Sequence, residues 1–151
     1  EQTANARALR EAGVDLVVGH GAHMLQEVEH DGRGWIFHGI GNLLFHSRGR
    51  YATNEAPPYS LPLVLEFSMQ DGRRKTVLRT YPIVSDNQLT GYQPRFVTEV
   101  ELTEIEAMLA KKGSWDATAR ARVKRGRDGI GLFLEFSQAD PGPDQQSSGT
   151  N

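Results

Sequence analysis

A short apolar run that ends in a glycine–histidine turn sets most of the limits on this chain. Residues 15–19, Asp-Leu-Val-Val-Gly, are followed at once by His20, Gly21, Ala22 and His23. The run is brief, β-branched and closed by glycine, the signature of a buried strand over residues 14–18. Ahead of it, residues 4–12 carry strong helix formers with small apolar side chains at helical spacing, and Gly13 is placed to stop that helix. Helix, glycine and buried strand in direct succession make half of an α/β unit. Gly19 and Gly21 permit backbone conformations closed to other residues and leave room beside the chain for a ligand. Imidazole is the commonest metal-binding side chain near neutral pH. Two of them just past a strand's C-terminal end stand where open α/β sheets carry their sites. His20 and His23 are therefore expected to lie close enough to share one site.

The rest of the chain alternates between extended and helical patterns. Asp31-Gly32 predicts a hairpin between residues 27–30 and the apolar run Trp35-Ile36-Phe37. His38 follows, and Gly39, Gly41 and Asn42 interrupt the pattern as a tight bend near a site does. Asn42 is expected to approach the histidine turn from that bend. Residues 48–60 read as a loop, residues 61–68 as a strand, and Asp71-Gly72 as a second hairpin turn into residues 75–84. Residues 85–96 read as loop. Residues 98–112 place Val100, Leu102, Ile105, Met108 and Leu109 at helical spacing as core, and residues 117–124 allow one or two further helical turns. Residues 129–136 form a last strand, and residues 137–151 are too poor in apolar side chains to order themselves.

Composition excludes several classes. A net charge of −2 argues against a nucleic-acid footprint, and the basic cluster in residues 120–127 reads as a solvated face. The absence of cysteine removes disulfides, thiolate ligands and thiol nucleophiles. No stretch of the sequence is long and apolar enough to read as a membrane span. The chain opens on Glu1 with a helix already under way, which suggests a piece of a longer protein.

The helix, the string Ala12-Gly13-Val14-Asp15-Leu16-Val17-Val18-Gly19-His20, then His23, then Phe37-His38-Gly39-Ile40-Gly41-Asn42, resembles the CapA-type bacterial capsule proteins, also called poly-γ-glutamate biosynthesis proteins. These look like members of the calcineurin-like metallophosphoesterase superfamily. The resemblance covers roughly residues 1–136, with Pro82 and the segment Gly91-Tyr92-Gln93-Pro94-Arg95 adding to it. It implies an α/β fold, the C-terminal part of a calcineurin-like metallophosphoesterase sandwich with β-hairpins, ending in a disordered tail over residues 137–151. It implies that His20 and His23 correspond to the family's last metal-binding motif, although many relatives leave one residue between the histidines and this chain leaves two. Either both ligate, or one ligates and the other binds substrate. Asn42 matches the asparagine of the family's glycine–asparagine bend. The implied cofactors are divalent metal ions, Mn, Fe or Zn, whose site is completed by upstream residues that this sequence does not contain. The implied partners are that missing N-terminal part of the same domain and a membrane-bound polymer synthesis complex, with the cell envelope as location.

Plainer readings stand beside these. His20 and His23 are otherwise a pair of hydrogen-bonded loop histidines. His38 is either a satisfied core residue or a group behind the site, and His46 either lines the pocket or lies past it. Asn42 either holds the bend or faces the ligand. His30, next to Asp31-Gly32, reads as an exposed hairpin residue. Two function classes remain open. One is an accessory protein of capsule or poly-γ-glutamate assembly and export. The other is a metal-dependent phosphoester hydrolase, of which this portion alone is expected to bind metal weakly and turn over nothing.

Overall fold

Strong helix formers build the first helix, α1 (Gln2–Glu11), and the chain leaves it through Gly13, whose φ of +94° disfavours any residue with a side chain. The computed structural model describes residues 1–44, 50–70 and 72–138. His46, and the expected tail beyond Gln138, lie outside the described residues.

The first strand is shorter than its apolar run. Only β1 (Val17–Val18) is extended. Val14 donates its backbone N–H to Leu9 O, and the Arg10 guanidinium caps Val14 O, so the chain is still folded back on the helix at residue 14. β2 (Val28–His30) and β3 (Trp35–Phe37) form the expected hairpin. Its turn is tied by Asp31 Oδ1, which accepts from the N–H groups of Arg33 (2.9 Å) and Gly34 (2.8 Å). β1 pairs parallel with β3, so the sheet order is β1-β3-β2. Side chains alternate along β3, and all three are buried: Trp35 and Phe37 join the main core, while Ile36 faces the other way.

The expected loop over residues 48–60 contains a helical turn, α2 (Arg50–Thr53), and a two-residue strand, β4 (Tyr59–Ser60). β5 (Leu63–Gln70) and β6 (Arg73–Thr80) form the long hairpin, with Gly72 in its turn at φ +73°. Pro82 ends β6. The strand expected over residues 75–84 is thus split, and its end forms a separate β7 (Ile83–Val84); a single turn α3 (Asn87–Thr90) and β8 (Arg95–Phe96) follow in what reads as loop. α4 (Glu99–Lys112) follows, opened by a capping box between Thr98 and Glu101. Short α5 (Ala117–Ala121) leads to β9 (Val123–Arg127) and β10 (Leu132–Phe136). Among the described residues the later strands form two antiparallel sheets, β5-β6-β10-β9 and β4-β7-β8. The fold is thus mixed α/β with several small, mainly antiparallel sheets.

One core joins these parts. Leu102, Ile105 and Leu109 of α4 are fully buried, each contributing roughly 1.5–3 kcal/mol. Val100, at the same helical spacing, is instead 69% exposed, because the helix turns that position away from the sheets. Trp35 meets Trp115 and Phe136 edge-on, with centroids 5.3 and 5.0 Å apart. Both indole N–H groups are satisfied: Trp35 donates to Ser137 O (3.0 Å) and Trp115 to Val28 O (2.5 Å). No described helix is long and apolar enough to cross a membrane.

Candidate functional site

The glycine–histidine turn and the 39–42 bend are laced together by backbone bonds. Gly19 donates to Phe37 O (2.6 Å), and Ile40 donates back to Gly19 O (3.3 Å). A Cβ on Gly19 would run into the His38 carbonyl, so only glycine lets β1 end this close to the bend. From the other side, Gln26 donates to Gly39 O (2.9 Å) and Leu61 to Ile40 O (2.8 Å). The bend is held between β1, the segment before β2, and the start of β5.

At its end, Asn42 and His23 form a reciprocal pair. Asn42 Nδ2 donates to His23 O at 2.9 Å, and Asn42 Oδ1 lies 2.9 Å from His23 Nδ1. A carbonyl can only accept, so the first bond orients the amide. Oδ1 then faces the ring and requires a proton on Nδ1. The neutral His23 ring is therefore the Nδ1–H tautomer, and Nε2 carries the lone pair. His23 also takes φ +58°, a left-handed conformation that costs a non-glycine residue about 1 kcal/mol or more. The clamp from Asn42 holds it there, and strain of this kind clusters at functional sites.

Behind Asn42 lies a chain of buried hydroxyls. Asn42 N–H donates to Ser60 Oγ (3.0 Å), Ser60 Oγ is 2.7 Å from Ser85 Oγ, and Ser85 Oγ is 2.7 Å from the Tyr51 hydroxyl. Gly41, at φ +79°, makes this possible, since a Cβ there would collide with the Ser60 side chain. Sequence reasoning missed Ser60, Ser85 and Tyr51. All three lie in stretches that read as loop, and no local pattern marks them.

His38 and His30 have partners of their own. His20 is exposed on the turn. His38 is buried, with Nε2 3.3 Å from Glu29 Oε1, and its carbonyl accepts from Gln2 Nε2. His30 is half-buried rather than exposed, because it is the cross-strand partner of Trp35 in the β2–β3 hairpin and meets that ring edge-on at 4.9 Å. Burial, and secondarily Arg122, push its pKa below the ordinary histidine value. A cavity of about 320 Å³ lies beside α1 and the hairpin, lined in part by Arg7, Arg10 and Asp31, and neither His20, His23 nor Asn42 lines it. Among the described residues no three histidine, aspartate or glutamate side chains converge as a metal-holding group. What fits a divalent ion is the chemistry of His23, a neutral imidazole whose proton is engaged on one nitrogen and whose lone pair is on the other.

Residues 1–47 match the family model of the bacterial capsule synthesis protein PGA_cap. The resemblance to capsule proteins is thus shown over that span. The PGA_cap segment contains α1, the glycine–histidine turn, the β2–β3 hairpin and Asn42, and stops before Tyr51, Ser60 and Ser85. A comparison with curated proteins found no match.

Proposed function

We propose that this chain is the C-terminal portion of a CapA-type protein of bacterial capsule or poly-γ-glutamate biosynthesis or export, built on a calcineurin-like metallophosphatase scaffold. The observation that carries the reading is the His23–Asn42 clamp inside the segment that matches the capsule synthesis family. His20 and His23 would hold one side of a site for Mn, Fe or Zn, with carboxylates from a part of the protein outside this sequence. When bound, such an ion supplies Lewis acidity and activates water. This chain's own contribution is to present Nε2 of His23, to keep the Nδ1 proton on Asn42, and to hold the turn against the bend. The setting we propose is the cell envelope, beside a membrane-bound polymer synthesis complex.

A second reading, a metal-dependent phosphoester hydrolase, is favoured by the tautomer of His23. An imidazole whose Nδ1–H is taken by an oxygen acceptor is set up as an Nε2 metal ligand. One experiment serves both readings: metal content by elemental analysis, alongside aryl-phosphate turnover, for the full-length protein and its His20→Ala and His23→Ala variants. Loss of most metal in the variants, with no turnover on any ester in the wild type, supports the accessory role. Loss of metal and turnover together supports the hydrolase. Metal content unchanged in both variants would show that the site lies elsewhere.

A further inference from the structure

Asn42 can orient His23 only if Asn42 is itself fixed. Both of its side-chain bonds among the described residues go to His23, so its position is set through the backbone. Among the described residues, its backbone reaches across to another element through its N–H, on Ser60 Oγ. Ser60 is 1% exposed, Ser85 2% and Tyr51 4%, so no bulk water competes for these hydroxyls. They come from three separate places: α2, β4 and the residue after β7. Ser85 is fixed in turn by donating its own N–H to Pro58 O at 2.9 Å. Buried hydroxyls in a connected chain fix one another's geometry, and removing one leaves its neighbour unsatisfied.

We propose that Ser60, Ser85 and Tyr51 are positioning residues: a buried hydroxyl brace that fixes Asn42 and, through it, the aim and the Nδ1–H tautomer of His23. The brace does not move protons to the site. Its link to Asn42 is an amide N–H, which donates and does not relay. Its effect is geometric, and it extends the functional unit beyond residues 1–47 into α2, β4 and the residue after β7. The proposal deepens the reading of His23 as a site residue and rests on it for its biological meaning, though the structural link is tested without metal or substrate.

The test reads the His23 tautomer in the 151-residue chain by long-range ¹H–¹⁵N correlation of the imidazole nitrogens. The wild type is expected to show Nδ1 as the protonated nitrogen. Free imidazole side chains prefer the proton on Nε2, so loosening Asn42 lets the ratio relax. The net worth of one hydrogen bond corresponds to a fall in the Nδ1–H to Nε2–H ratio of roughly three- to tenfold in Ser60→Ala. A smaller fall in the same direction is expected in Tyr51→Phe, which keeps the ring and removes only the hydroxyl. Ile105→Val, a core change in α4 remote from the brace, should leave the ratio unmoved despite some loss of stability. An unchanged ratio in both Ser60→Ala and Tyr51→Phe overturns the proposal, and so does an equal shift in Ile105→Val, which would make the effect general loosening. Should Ser60→Ala fail to fold, Tyr51→Phe decides alone. A brace that passes this test in a protein whose full-length form binds no metal would leave the positioning intact and sink the functional reading instead.

Discussion

Arg10→Met is expected to destabilise the chain by about 2–3 kcal/mol at pH 7, and by progressively less as the solution is made acid. Arg10 lies at the end of α1 with its side chain 5% exposed. Its guanidinium grips Asp31 through two bonds, Nε to Oδ2 at 2.9 Å and Nη2 to Oδ1 at 3.1 Å, and also caps Val14 O. This joins the helix to the β2–β3 turn. Breaking a buried pair from one side costs roughly 3–5 kcal/mol. The figure is reduced here because Asp31 is 21% exposed and keeps the amide bonds from Arg33 and Gly34. Burial alone would raise the Asp31 carboxyl, but the bonds from Arg10, Arg33 and Gly34 outweigh it and hold the group well below its ordinary value of 3.8. A depressed folded pKa means that the unfolded chain takes up the proton first. The associated stability is therefore complete above pH 3.8 and is lost as pH falls through the folded pKa. Methionine keeps the apolar stem and removes the charge, so the variant lacks most of this acid-sensitive increment. Urea unfolding followed by the fluorescence of Trp35 and Trp115, both in the core, measures the difference. Wild type and variant should separate at pH 7 and converge toward pH 2. A difference under about 0.5 kcal/mol, or one that does not vary with pH, would refute the reasoning.

Two further predictions use the same unfolding assay. Gly41→Ala should cost about 2–4 kcal/mol, since it drives a Cβ into Ser60 at a φ of +79°; a loss under about 1 kcal/mol would mean that the bend yields to the added Cβ. His30, its pKa lowered first by burial and then by Arg122, stays neutral in the fold while the unfolded chain protonates, so stability should fall as pH drops below 6.5 and level off below the folded pKa. His30→Gln should flatten that part of the profile, and identical profiles for both proteins would count against the assignment.

Where a local signal and a tertiary need coincide, the elements could be read from residue order alone. α4 is capped by Thr98 because Thr98 and Glu101 satisfy each other's backbone, the first hairpin turns at Asp31-Gly32, and the second carries Gly72 in its turn. β9 shows the opposite case. Its residues, Val-Lys-Arg-Gly-Arg, carry too much charge to announce a strand. They are extended because Gly126 lies under the Phe133 ring, and because Arg125 and Arg127 pair with Glu106 and Glu99 of α4. Phe133 belongs to the facing strand of the same hairpin, but the two glutamates lie 19 and 28 residues away in sequence. The two-residue strands β4, β7 and β8 follow the same logic, since they exist only as one another's partners.

The candidate site divides along the same line. The histidine turn and the asparagine bend could each be singled out by their glycines, and their meeting is set by backbone bonds between two runs that are plainly extended. What could not be read is why Asn42 stays where it is. A serine at a strand end, a serine before a helical turn and a tyrosine in a single helical turn carry no periodicity and no motif. Their significance lies in the 2.7 Å spacings between their hydroxyls, which appear only once α2, β4 and β7 have packed. A protein can thus announce its reactive side chain in a short string of residues while the support that tunes it is scattered along the chain. The match to the capsule synthesis family ends at residue 47, and the brace begins at Tyr51. A homologue that keeps the histidine turn but changes Ser60 or Ser85 to a residue without a hydroxyl would, on this argument, present its histidine with a less certain tautomer.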